Sequence, residues 1–174
     1  RTHLIEGYTS KKANFISDRI AEGGLKIFAE CIPAIKALDF NYEIREKLIL
    51  MSTMAGMVIA QAGTSLPHAC GYMPTYEKGI PHGRANAIFT RAYLELFPDQ
   101  TKTNTILQIL GFEDLEEFNN FLKSVLEERE DFTEADVERY TDALMANPGK
   151  LALHPHPLTR GEVYEMYKKS LLLY

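Results

Sequence analysis

The chain has 174 residues, of which 45% are apolar and 25% charged, so it suits one domain of ordinary globular composition with a full core. Its net charge of -5 argues against nucleic acid or an anionic membrane as the main partner, and no block of Lys and Arg with interleaved aromatics contradicts that. The two cysteines, Cys31 and Cys70, form no CxxC pair, which excludes a zinc knuckle or a redox motif and fits a reducing, cytoplasmic setting.

The opening "RTHLIEGYTS" has no apolar signal region. Beyond it, Ser17 and Asp18 open a run with Ile20, Gly24, Ile27 and Cys31 on one face, and Pro33 is expected to end or kink that helix. Asn41 can cap the next, which carries Ile44, Leu48, Met51, Ala55, Val58 and Ala62 on one side. From Leu48 to Gly63 this helix is apolar nearly all round, which places it at the centre of the domain. It is too short to span a membrane, which takes about 20 apolar residues, and it carries Ser52, Thr53 and Gln61. Met51, Met54 and Met57 read as core filler in preference to a substrate channel.

A glycine-punctuated segment runs from Gly63 to Gly83, and Ala85 to Phe97 reads helical up to Pro98. Asn104 to Leu110 is a short helix closed by Gly111. Leu115, Phe118, Leu122 and Val125 mark an amphipathic helix. Thr133 with Asp136 and Thr159 with Glu162 are capping boxes, the second opening a last helix that buries Val163, Tyr167 and Leu171. The acidic runs Glu113 to Glu117 and Glu127 to Asp131 read as solvated helix faces. No alternating β-branched run appears. The fold class is therefore all-α: a bundle of about seven or eight helices forming a single domain over residues 1–174.

Five histidines could carry chemistry: His3, His68, His82, His154 and His156. His68 and His82 lie 14 residues apart, each beside small residues, and Pro81 sets His82 in a first helical turn. On spacing alone this is a weak metal signal, and two polar residues in a surface loop are the favoured reading. The "HPHP" of His154 to Pro157 looks like a chelate, but its prolines predict an extended, exposed stretch. Glu6, three residues after His3, is either a partner that orients an imidazole or a solvated carboxylate.

"GIPHGRANA", with a His 14 residues upstream in "LPHACGY", resembles the signature of the iron-containing (group III) alcohol dehydrogenases. "THLIEGYTSKKAN" resembles a second motif of that family, and "ISDRIA" and "PLTRGEVYEMYKKSL" match its habits. The resemblance implies the C-terminal helical domain of the dehydroquinate synthase-like fold, in which one Asp and three His hold a divalent metal, iron in the first place and zinc as the alternative. Carried over, the histidines are His3, His68 and His82, and the Asp position precedes Arg1. No GxG fingerprint occurs, so NAD or NADP would be bound by a nucleotide-binding domain outside this chain.

Where many members have another His four residues after the ligand at position 68, this chain has Tyr72. A phenol can hold substrate by hydrogen bond but is a poor base at neutral pH. The implied activity is interconversion of a small alcohol with an aldehyde or ketone, in an enzyme that is a homo-oligomer when complete. These residues alone are expected to hold metal weakly and to transfer no hydride. A polyol dehydrogenase, a dehydroquinate-synthase-like enzyme and a non-catalytic helical interaction domain are the alternatives.

Overall fold

The computed structural model describes residues 2–126 and 130–173. Among them are eleven helices and no strand: α1 (Thr2–Thr9), α2 (Phe15–Lys36), α3 (Tyr42–Ala62), α4 (Leu66–Lys78), α5 (His82–Ile88), α6 (Thr90–Glu95), α7 (Thr101–Leu110), α8 (Leu115–Leu126), α9 (Glu134–Met145), α10 (Pro148–Leu151) and α11 (Arg160–Leu171). None of them is by itself long and apolar enough to cross a membrane.

Local chemistry explains most boundaries. α2 starts earlier than Ser17, because the Asn14 side chain accepts from the Ile16 and Ser17 N–H groups while the Ser17 hydroxyl takes the Asn14 N–H. Pro33 does not end it: the lost N–H removes one bond near the C-terminus, and the helix runs on to Lys36. Gly111 closes α7 with φ 79°, left-handed backbone that glycine adopts without strain. Both expected capping boxes, at Thr133 and Thr159, form. The stretch expected to be one helix from Ala85 to Phe97 is broken at Phe89, whose buried ring packs edge-on against Tyr167 of α11 at 5.4 Å. This break, with α1, α4 and the one-turn α10 forming where no helix was assigned, accounts for eleven helices where seven or eight were expected.

The centre of the domain is α1 rather than α3. Every residue of α1 except His3 is buried, and α2, α3, α4, α5 and α7 pack around it. Gly7 makes this possible: a Cβ there would stand 2.2 Å from Val58 Cγ1 of α3. α3 therefore lies over α1 and α2 and buries only Met51, Ala55, Val58 and Ala62. Its other side exposes Ile49, Leu50 and Met57, so the uniform apolarity of this helix did not mean burial all round. Of the three methionines, Met51 is core, Met54 half-buried, and Met57 is 51% exposed. Cys31 and Cys70 are buried and free. The acidic residues Glu113, Asp114, Glu116 and Glu117 are exposed, and two of them also tie the start of α8, with Glu117 accepting from the Glu113 N–H and Asp114 from the Glu117 N–H. The second acidic run lies partly outside the described residues, and its Glu130 pairs with Arg84 at 2.8 Å.

Candidate metal centre

Three helix beginnings meet at one place. His3 is the second residue of α1, His68 the third of α4 and His82 the first of α5. The His3 and His68 rings stack with centroids 4.5 Å apart, and the His68 and His82 rings meet edge to face at 5.1 Å. Residues separated by 79 positions thus form one imidazole cluster. The approach of α4 to α5 depends on Gly71, where a Cβ would stand 2.2 Å from Asn86 Oδ1 and 3.3 Å from the Asn86 backbone nitrogen.

Glu6 organises the cluster from below. Its carboxylate is fully buried, and its Oε1 lies 2.6 Å from His68 Nδ1 while its Oε2 accepts from the Ser65 N–H at 2.6 Å. A carboxylate on Nδ1 fixes the proton there and leaves Nε2 with a free lone pair. His68 Nε2 is buried and has no hydrogen-bond partner. An orphaned acceptor of this kind costs stability unless something occupies it.

Electrostatics favour a neutral His3 ring. Burial, then the neighbouring His68, pushes His3 down from its ordinary value to about 4, so it has a lone pair to donate at neutral pH. His82 Nε2 lies 3.1 Å from Asn86 Nδ2, a bond that a ligand at that nitrogen would replace. As the side chains stand, no group of three or more His, Cys, Asp or Glu among the described residues is arranged to hold a metal ion. The donor chemistry nevertheless fits one: three imidazoles, one of them with a carboxylate on Nδ1 and a buried Nε2 without a partner.

Beside the cluster is a cleft of about 380 Å³ lined by His68, Tyr72, Ser65, Lys150 and Leu153 among others. Tyr72 is 46% exposed, and its ring stacks toward His82 with centroids 6.0 Å apart. Lys150 Nζ stands 3.8 Å over the centre of the Tyr72 ring. Neither Asn86 nor Lys150 was singled out from the sequence. Asn86 had a signal, since it lies one helical turn after His82; Lys150, 78 residues from Tyr72, had none.

The "HPHP" stretch departs from expectation. It forms bends between α10 and α11, with His156 exposed but His154 only 3% exposed. The His154 ring lies 4.9 Å from Phe97 and 5.9 Å from Tyr93, and both its nitrogens are buried without partners. The prolines shape the turn, and the aromatic pocket of Phe97 and Tyr93 captures the ring between them.

Comparison with known proteins places these observations. The sequence profile of the Fe-containing alcohol dehydrogenase family, C-terminal, matches residues 2–171. A probable alcohol dehydrogenase, EutG, of Salmonella typhimurium is 37% identical over 89 residues, covering 50% of this chain and 22% of the relative. A 1,3-propanediol dehydrogenase of Citrobacter freundii is 32% identical over 117 residues, covering 67% of this chain and 28% of the relative. The crystal structure of an iron-containing alcohol dehydrogenase from Thermotoga maritima superposes with a TM-score of 0.86 at 33% identity, over 98% of this chain and 46% of that one. The chain thus spans half or less of the length of these relatives. A helical domain with three histidines in one cluster, matched almost end to end by the family profile, belongs to the Fe-containing alcohol dehydrogenase family and corresponds to its C-terminal domain.

Proposed function

We propose that this chain supplies the metal-binding part of an NAD(P)-dependent alcohol dehydrogenase that interconverts small alcohols with aldehydes or ketones. The observation that carries the reading is the meeting of His3, His68 and His82 in one cluster, with Glu6 fixing His68. His3, His68 and His82 would hold the ion, iron(II) or zinc. When bound, such an ion supplies Lewis-acid polarisation of an alcohol or carbonyl oxygen. Hydride transfer belongs to the nicotinamide, and these residues contain no phosphate-binding glycine loop to place one, so they are not expected to turn over substrate by themselves.

The chain's own residues have definable parts in this scheme. Glu6 orients His68 and holds the proton on Nδ1. Tyr72, at the edge of the cleft, is the group placed to hydrogen-bond substrate with its hydroxyl, where many relatives carry a second histidine. Its ring and Leu153 form part of the cleft wall.

Cobalt(II), whose absorption spectrum reports its ligands, tests the reading. We expect the chain, which carries three of the four expected ligands, to take up one equivalent weakly, with a spectrum of nitrogen ligation. His68→Ala should weaken uptake beyond the roughly 10–100-fold that losing a mere outer partner costs. Uptake that is unchanged in His68→Ala and His82→Ala, or absent from the unaltered chain even in large cobalt excess, would sink the proposal. A version joined to a nucleotide-binding half should oxidise short alcohols, followed by the absorbance of the reduced nicotinamide.

A further inference from the structure

We infer that Lys150 makes this site selective for substrates that carry a carboxylate at the end remote from the reacting carbon. The inference rests on the reading of the histidine cluster as the reaction centre and adds the class of substrate.

The lysine is exposed, but the backbone that carries it is held beside the site. It lies on α10, with its N–H donating to Asn147 O at 3.0 Å. The turn that follows is anchored twice beside the site. Leu153 O accepts from the Lys11 N–H at 2.9 Å, and Leu153 Cδ1 presses against Gly63, 2.5 Å from where a Cβ would be. One residue on, the buried ring of His154 fixes the segment against Phe97 and Tyr93. With its backbone held, the Lys150 side chain reaches over Tyr72, which itself leans on His82.

Charge then decides the chemistry. Lys47, Lys102, Lys168 and Lys169 each form an ion pair with a carboxylate. Among the described residues Lys150 forms none, as is also true of Lys11, Lys12, Lys26, Lys36 and Lys78, but it is the one cation lining the cleft, and its ammonium rests on an aromatic face. The carboxylate next to the cleft, Glu6, is fully buried with both oxygens engaged by His68 and Ser65, so it cannot neutralise Lys150. The wall of the cleft therefore presents one uncompensated cation beside an aromatic ring and a hydroxyl. A substrate carboxylate would complete the ion pair while its carbon chain lay along Tyr72. A neutral diol of the same length would leave the cation as it is.

The test uses the cobalt-loaded chain titrated with 4-hydroxybutyrate and with 1,4-butanediol, following the cobalt spectrum and the amide resonances of residues 63–72. The hydroxy acid should bind about 10–100-fold more tightly than the diol, the range expected for one hydrogen bond to a charged group. Lys150→Gln should remove that preference and Lys150→Arg should retain it, both with unchanged melting temperature. A preference that survives Lys150→Gln, or no preference in the unaltered chain, overturns the inference while leaving the metal centre standing. Failure of the unaltered chain to take up cobalt even in large excess overturns the metal-centre reading and this inference with it. A parallel titration with NADP and NAD covers the other source of an anion. If Lys150→Gln weakens only NADP, the lysine serves a cofactor phosphate and the substrate assignment is wrong.

Discussion

His68 and His154 are almost equally buried, 4% and 3% exposed, yet they sit in opposite kinds of surroundings. His68 has a carboxylate on Nδ1 and two more imidazoles within about 5 Å of its ring, with Nε2 left open among them. His154 has a phenylalanine, a tyrosine and one exposed histidine around it, and neither nitrogen is bonded. Burial alone therefore says little about a histidine's role. What separates a ligand-like ring from a packed one is the partner on its far nitrogen, because that partner chooses the tautomer and aims the lone pair. The motif that looked most like a chelate holds the packed ring, while the ligand-like ring sits in a sequence that looked like a loop.

The comparison breaks most sharply at Glu6. Glu6→Ala would leave the His68 Nδ1–H and the Ser65 N–H buried without an acceptor. Each such donor costs about 1–3 kcal/mol, so a loss of roughly 2–6 kcal/mol in urea unfolding is expected. A loss below about 1 kcal/mol would show that the carboxylate is not the anchor of this region. Gly71→Ala comes next. The added methyl would push against Asn86 on α5, and overpacking of this kind costs about 1–3 kcal/mol. It should also widen the His68–His82 spacing and weaken cobalt binding, whereas Gly149→Ala, which meets nothing closer than 3.5 Å, should do neither.

The His154 side of the comparison is sharpened by pH. Burial first, then the neighbouring His156, pushes His154 down from its ordinary value of 6.5 to about 4. The folded state therefore keeps this ring neutral where the unfolded chain protonates it. Its contribution is fully present above pH 6.5 and is lost as pH falls from there toward about 4. Around it stand Phe97, Tyr93 and His156, with Glu162 the acidic group that opposes the shift. His154→Phe removes the titration, so its stability relative to the unaltered chain should rise between about pH 7 and about pH 5. Parallel unfolding curves at the two pH values would refute the assignment. His3 titrates in both proteins and cancels. The smallest effect is expected at Thr159→Ala, which strips the cap of α11 just beyond the His154 turn and should cost about 1 kcal/mol without touching cobalt uptake.

Much of this was legible in the sequence, for local reasons. Caps such as Asn41, Thr133 and Thr159 act within four residues, and so do glycine stops such as Gly111. His68 and His82 could be suspected from the small residues and prolines around them. The rest depended on distant partners. α1 has only eight residues and a mixed composition, and nothing in its own pattern says that five helices wrap it. α3 looked like the centre because it is apolar on all sides, but α1 already fills that place. Glu6 could be named as a carboxylate near an imidazole, while its pairing with His68, 62 residues away, required the fold. Lys150 had no signal at all, since its role comes from a ring 78 positions earlier.

The burial of α1 has a consequence in time. His3 and Glu6 ride on a helix whose amide hydrogens at Ile5, Glu6 and Tyr8 reach water only when much of the domain opens. Hydrogen exchange there should be among the slowest in the chain and should match the global unfolding rate, while the amides of α10 and the turn at His154 exchange through local opening. The two sides of the cleft would then move on separate clocks. The helix bearing His3 and Glu6 would open only with the domain, while the backbone under Lys150 would open locally before it. Whatever enters the cleft meets imidazoles on the last part of the fold to open and a cation on a part that opens sooner.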